Sequence, residues 1–154
     1  MPQFSKKSPS QYTTSQIFDI VSDVASYPKF LPWVAAARID KISKNEFEAE
    51  LIIKFKGLRS SYTSLVTLTH PESSNSPCIV SVALVKGPFR TLINEWNLEP
   101  SENIARNISD IDFFIDFSFQ SSMFEKMVGG MFEKATNKMT EAFETRAKQL
   151  YGMR

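Results

Sequence analysis

Residues 122–151 read SMFEKMVGGMFEKATNKMTEAFETRAKQLY. Phe124, Met127, Val128, Met131, Phe132, Ala135, Met139, Ala142 and Phe143 recur at steps of three and four, the period of one helix face. Ser122 with Glu125 three residues later has capping-box spacing, and Gly152 after Tyr151 supplies a stop. The stretch therefore predicts one helix from Ser122 to Tyr151, roughly 45 Å long at about 1.5 Å per residue. A helix so one-sided is not stable alone in water, so the rest of the chain must offer a broad apolar surface to receive it. Gly129 and Gly130 interrupt the stripe, each at about 1 kcal/mol relative to Ala. Paired glycines let a helix bend or let another group approach, and methionine fills irregular spaces. The first half of the helix thus reads either as a kinked core helix or as the roof of a cavity.

Immediately upstream the period changes to two. Ile111, Phe113, Ile115, Phe117 and Phe119 alternate with Asp110, Asp112, Asp116 and Ser118, the pattern of a strand buried on one face. The same alternation runs through Phe47, Ala49, Leu51, Ile53 and Phe55, and through Tyr62, Ser64, Val66 and Leu68. Cys78–Val85 is a further run, and Leu92, Asn94, Trp96 and Leu98 another. Short turns around Gly57, His70–Pro77, Gly87 and Pro100–Asn103 separate them, with no helix-length pattern between, which predicts an antiparallel meander. A short edge strand is expected around Gln3–Ser8. Thr13 and Gln16 form another capping box, opening a helix to about Val24. Tyr27-Pro28-Lys29-Phe30-Leu31-Pro32-Trp33 allows only a short helical turn with Pro28 at its first position, and its apolar side chains read as a plug. The fold class is α+β in one domain, residues 1–154. A curved antiparallel sheet of six or seven strands wraps a long C-terminal helix, the helix-grip arrangement, with two short helices near the N-terminus.

The totals exclude several functions. The 154 residues carry a formal charge of +1, which favours no nucleic-acid partner. One Cys and one His argue against an internal disulfide and against a zinc site. No run reaches the ~20 apolar residues of a membrane span. Met1–Tyr12 has neither an apolar signal core nor arginine, so it reads as neither secretory signal nor transit peptide. Asp110, Asp112 and Asp116 share a strand face opposite the phenylalanines, and alternate strand residues lie roughly 7 Å apart, too far for one ion without other ligands. Asp19 and Asp23 have no apolar surroundings in sequence to raise a pKa. His70 sits in a polar turn and Cys78 at a strand start. No catalytic residue, catalytic cofactor or metal site is expected.

The concave sheet face is the informative part. By strand and helix parity a tunnel would be lined by Leu31, Pro32, Trp33, Leu51, Ile53, Phe55, Tyr62, Val66, Asn94, Trp96, Leu98, Phe113, Ile115 and Phe117. Phe124, Met127, Val128, Met131, Phe132 and Ala135 would roof it. The few polar groups, Tyr62, Ser64, Asn94 and the Trp96 indole, suit a lipid with a small polar head. In a meander the turns at Gly57 and Gly87 lie at one end, beside the Gln120–Met123 junction. Leu58 and Phe89 at their tips, among Lys56, Arg59, Lys86 and Arg90, predict docking on an anionic membrane surface.

Ile17–Val24 followed by Tyr27–Trp33 resembles the opening of the coenzyme Q-binding START-like proteins, within the polyketide cyclase/dehydratase and lipid-transport superfamily. The resemblance continues through Ser61–Ser64, Gly87-Pro88-Phe89, Trp96, Asp112–Phe119 and Met139–Gly152, nearly the whole chain in the family's order and spacing. It implies a helix-grip fold whose apolar tunnel binds ubiquinone (coenzyme Q) as ligand. It further implies a non-catalytic role in respiration and quinone biosynthesis, peripheral to the matrix side of the mitochondrial inner membrane. A long isoprenoid tail exceeds one tunnel, so its end would lie in the membrane or in a second copy of the protein, which makes a homo-oligomer one expected partner. The resemblance also carries two other classes. Bacterial relatives include ribosome-association toxins, and the superfamily includes aromatase/cyclases. A ribosome partner calls for a basic patch, and a cyclase for ionisable groups inside the tunnel, which the concave positions lack.

Overall fold

A computed structural model of the protein describes residues 3–55, 57–103 and 106–152, leaving aside the side chains of Phe55, Leu58, Val128, Met131 and Phe132. Seven strands, β1 Gln3–Ser10, β2 Val34–Lys41, β3 Glu46–Phe55, β4 Leu58–Thr69, β5 Cys78–Lys86, β6 Phe89–Pro100 and β7 Ser109–Phe119, form one sheet in the order β1-β7-β6-β5-β4-β3-β2. Every neighbouring pair is antiparallel. The meander expected from the alternation is present, and the edge strand, two residues longer than expected, pairs with β7 rather than with its sequence neighbour. Register shifts at Val34/Ala36, Thr63/Ser64 and Phe89/Thr91 mark bulges, the irregularities that bend strands and let a sheet curl around a helix.

Helix α1, Thr14–Ser22, opens with the expected capping box at Thr13 and buries Ile17, Phe18, Ile20 and Val21. It ends two residues early, and a separate 3-10 helix, Val24–Lys29, follows. Pro28 lies inside that helix rather than at its start. The N–H groups of Phe30 and Leu31 close onto the Tyr27 carbonyl just beyond the proline.

The single helix expected over Ser122–Tyr151 is two helices, α2 Ser122–Asn137 and α3 Met139–Tyr151. The break falls at Lys138, whose φ of −104° and ψ of 4° leave the helical region, and not at Gly129-Gly130, which remain helical. Its cause is local. Thr136 Oγ1 donates back to the Glu133 carbonyl at 2.9 Å, and the Lys138 N–H turns to the Ala135 and Thr136 carbonyls. Thr and Asn compete in this way with the backbone's own bonding. The start is also displaced by one residue: Ser121 is the cap, its hydroxyl accepting from the Phe124 N–H at 3.2 Å.

Helix α3 is held along its length. Fully buried Phe143 meets Trp96 at 4.7 Å between ring centroids, Phe30 at 5.1 Å and Tyr27 at 5.3 Å. Glu144 accepts from the Ser10 hydroxyl at 2.8 Å and the Gln11 N–H at 3.3 Å, and Tyr12 donates to the Gly152 carbonyl at 2.6 Å. By contrast α2 leaves Met123 72% and Met127 57% exposed.

The β5–β6 turn rests on glycine. At Gly87, φ is +150° and an added Cβ would lie 2.5 Å from Tyr62 Cβ, whereas Gly57 has φ of +81° and open space around it. Gly87→Ala is therefore expected to destabilise by about 3 kcal/mol, and Gly57→Ala by about 1 kcal/mol. Urea unfolding midpoints of the two variants check the ordering.

Candidate functional site

Between the concave sheet face and the helices lies a narrow cavity of about 70 Å³. Its floor is Ala49, Leu51, Ile53, Tyr62, Ser64, Val66, Val80, Val82, Leu92, Asn94, Trp96 and Ile115. Val21, Val24, Tyr27, Leu31, Trp33 and Val34 wall it, and Thr136, Met139 and Phe143 close it above. Alternation along β3 to β7 makes the floor, because every second side chain points inward. The roof comes from the α2–α3 break and the first turns of α3.

Of the lining expected from sequence, Leu31, Trp33, Leu51, Ile53, Tyr62, Val66, Asn94, Trp96 and Ile115 meet at the cavity. Leu98, Phe113 and Phe117 are buried on the same face but spent on solid packing, Phe113 between Trp96 at 4.8 Å and Phe4 at 6.1 Å. Pro32 is exposed in the turn that precedes β2. Phe124 leans on the Phe119 ring at 5.4 Å, Ala135 is buried outside the cavity, and Met127 faces out. The described roof residues, Thr136, Met139 and Phe143, lie at and beyond the C-terminal end of α2. Phe55, Val128, Met131 and Phe132 lie outside the described side chains. The expected lining lacks Val21, Val24, Tyr27, Val34, Ala49, Val80, Val82, Leu92, Thr136, Met139 and Phe143, although the alternation through Ala49, Val80, Val82 and Leu92 and the stripe through Met139 and Phe143 carry that signal.

The polar groups are few and mostly occupied. Asn94 Nδ2 donates to the Phe114 carbonyl at 2.8 Å, and its Oδ1 accepts from Trp96 Nε1 at 3.2 Å. The indole N–H expected to face a ligand is therefore already committed. Tyr27 donates to the Val21 carbonyl at 2.5 Å. The Tyr62 hydroxyl has no hydrogen-bond partner among the described residues, while its ring edge meets Phe89 at 5.2 Å. Burial pushes the Tyr62 phenol well above its ordinary value. Burial first, then the negative charges that Tyr62 and Asp23 can carry, does the same to Tyr27. No described residue lining the cavity is a carboxylate, an amine, an imidazole or a thiol.

The other candidates sit elsewhere. The His70 ring lies tilted against Phe18 at 5.2 Å, and its charge partly offsets the upward push of burial on the Asp19 carboxyl, so Asp19 is less fully solvated than its sequence context implied. Cys78 behind them is buried, its thiol pushed up to about 11 by burial and directed at the Thr14 carbonyl, which keeps it protonated at neutral pH. Phe89, expected at an exposed tip, is only 2% exposed. The close seat of Gly87 on Tyr62 draws the hairpin inward, and Phe89 stacks on Phe119 at 5.0 Å. Arg59, Lys86 and Arg90 are exposed, whereas Lys56 and the Leu58 side chain lie outside the described parts. The Gln120 N–H bonds to the Pro88 carbonyl at 2.9 Å, so the β7–α2 junction and this hairpin do share one end.

The family described as polyketide cyclase/dehydrase and lipid transport matches residues 10–144. Among curated proteins, the ribosome association toxin RatA of Rickettsia prowazekii is 38% identical over 139 residues, spanning 90% of this chain and 91% of the relative. The coenzyme Q-binding protein COQ10, mitochondrial, of Drosophila melanogaster is 31% identical over 140 residues, spanning 91% of this chain and 56% of the relative. An 18 kDa protein of Caulobacter crescentus superposes with a TM-score of 0.72 at 29% identity, covering 99% of this chain and all of that one. A START superfamily protein from Mycobacterium smegmatis (TM-score 0.68, 18% identity, 96% and 98% covered) and the ZhuI aromatase/cyclase of a Streptomyces species (0.73, 12%, 96% and 94%) share the fold. The α+β helix-grip arrangement is thus the START-like, lipid-binding type of fold.

The buried phenols give a pH signature. Folded Tyr27 and Tyr62 hold their protons more tightly than an unfolded chain does, so stability is full below the ordinary phenol value and falls as pH rises past about 10. Ultraviolet titration is expected to show both phenols un-ionised while the protein stays folded, and Tyr62→Phe is expected to reduce the alkaline loss of stability in urea unfolding.

Proposed function

The chain belongs to the polyketide cyclase/dehydrase and lipid transport family, and from that premise we propose that it binds an isoprenoid quinone of the coenzyme Q class in the cavity under Phe143 and carries it chemically unchanged. The observation that supports this most is the lining itself: apolar side chains around two hydroxyls, those of Tyr62 and Ser64, with no described group able to act as acid or base at neutral pH. A quinone carbonyl is an acceptor without a donor, which suits a phenol held protonated by burial. The Drosophila relative named for coenzyme Q binding supports the ligand class. A cyclase needs groups that move protons inside the cavity, and the 12% likeness to an aromatase/cyclase is a likeness of fold.

The cavity at about 70 Å³ is well below the roughly 300 Å³ at which drug-sized ligands are held, so loading requires the roof to shift. Met139 is deformable, and Thr136 stands two residues before the break at Lys138, where the helix already bends. The place of action in this reading is the surface of a quinone-containing membrane, in a mitochondrion the matrix face of the inner membrane.

A second reading is association with ribosomes, favoured by the 38% identical Rickettsia protein of that name. One purification separates the two. Organic extraction and mass spectrometry of the natively purified protein are expected to yield a quinone, and sucrose gradients to leave the protein clear of ribosomal subunits. Ala49→Leu, which fills the cavity from its floor, is expected to abolish the quinone. Tyr62→Phe, removing one hydrogen bond of about 1 kcal/mol, should lower retention several-fold. Wild-type quinone content in both folded variants would refute the cavity as the site, and co-migration with subunits without extractable lipid would favour the ribosome.

A further inference from the structure

We infer that the protein sits on anionic phospholipid through a basic groove on the outer side of α3, an inference that rests on the lipid-carrier reading for its purpose but has its own test. The groove, of about 440 Å³, runs between the end of the 3-10 helix, the entrance to β2 and the exposed side of α3. Lys29, Lys138 and Arg146 contribute three cations from three separate turns, against one carboxylate, Glu141. Phe30 and Trp33 supply its aromatic surface. The Arg146 guanidinium lies over the Phe30 ring, 5.3 Å from its centroid, and one of its nitrogens reaches Gln149 Oε1 at 3.4 Å. A guanidinium has five N–H donors in a fixed fork, so most of them stay available to a phosphate.

Three features select a membrane-borne phosphodiester as the occupant. First, charge is polarised although the whole chain is +1. The outer sheet face presents Glu46, Glu48 and Glu50 on β3 with Asp110, Asp112 and Asp116 on β7, alternating with buried neighbours, and the helix side presents the groove. A negative surface therefore repels one side of the molecule and attracts the other, which orients it. Second, the aromatic residues beside the cations suit the polar–apolar boundary of a bilayer, where Trp and cationic side chains are at home. Third, Trp33 lines both the groove and the inner cavity, so the docked face backs onto the cavity through a single side chain.

The test is vesicle flotation at physiological salt, using phosphatidylcholine alone and phosphatidylcholine mixed with phosphatidylglycerol. The wild type is expected to float with the mixed vesicles only. Reversing charge with Lys29→Glu, Lys138→Glu and Arg146→Glu should weaken binding by at least about fivefold for each cation removed. Lys41→Glu with Lys44→Glu, exposed at the β2–β3 turn, should leave it unchanged. Single Lys29→Ala and Arg146→Ala variants give the same ordering should the triple substitution unfold the chain. Equal flotation with neutral vesicles, groove variants that bind as the wild type does, or release by millimolar inorganic phosphate, the mark of a soluble-anion site, would each overturn the inference. Extractable quinone is scored in parallel. Groove variants that keep their quinone but lose vesicles support docking, and a wild type without quinone that still floats through the groove keeps docking while the carrier reading falls.

Discussion

The structure depends on one contact, the insertion of Phe143 into the ring set of Trp96, Tyr27 and Phe30. These four side chains come from α3, the middle of β6 and the 3-10 segment with its C-cap, so α3 and that segment are placed together against the sheet. The rings of Tyr27 and Phe30 meet Phe143 nearly at right angles, 88° and 85°, the edge-to-face geometry that the aromatic quadrupole favours. Each such pair adds about 1 kcal/mol beyond the area it buries. Trp96 then passes the contact into the sheet through Phe113, and Phe113 into the edge strand through Phe4. An unbroken line of rings joins the helix layer to the edge strand β1.

The C-terminal region consists of two helices joined at Lys138. Helix α3 is pinned by Phe143, by the Glu144 carboxylate on Ser10 and Gln11, and by Tyr12 on the Gly152 carbonyl. Helix α2 has no comparable set among its described residues: Phe124 on Phe119, with Ala135 and Thr136 buried near its end, while two methionines face outward. Their junction is the roof of the cavity. The described part of the cavity roof is thus the joint between two helices, where Lys138 leaves the helical region.

Much of this was legible in the sequence, and the failures have physical causes. Strands that alternate cleanly declare both their faces, so the meander and most of the cavity floor followed from Leu51, Ile53, Tyr62, Val66, Asn94, Trp96 and Ile115. The helix stripe was read as continuous because apolar spacing does not register a hydroxyl bonding back into the backbone, as Thr136 does. Gly129-Gly130 looked like the weak point on propensity alone, yet propensity is a weak prior beside the local bonding at Lys138. Phe89 seemed a tip residue because hairpin turns are usually exposed. Only the three-dimensional approach of Gly87 to Tyr62 reveals that this turn folds inward. Residues that reach the cavity from the N-terminal segment, Val21, Val24 and Tyr27, are invisible to an argument from strand parity.

The state of the polar groups in the cavity bears on what kind of selectivity this site can have. Asn94 and Trp96 satisfy each other and the Phe114 carbonyl, so the floor carries its buried donors and acceptor without a guest. A site whose polar groups were all left open would either hold ordered water or lose stability when empty. Here the Tyr62 phenol and the Ser64 hydroxyl remain to direct a guest, and burial keeps the phenol's proton in place. Two hydroxyls in an apolar enclosure fix which end of a guest points inward but distinguish poorly between guests of similar shape. Discrimination must then come from the contour of the floor and from how far the Thr136–Met139 roof can yield, both set by apolar contacts. Replacing a few of those apolar side chains with ionisable ones would turn the same enclosure toward proton-transfer chemistry, which is how one helix-grip scaffold can serve carriers in one lineage and enzymes in another.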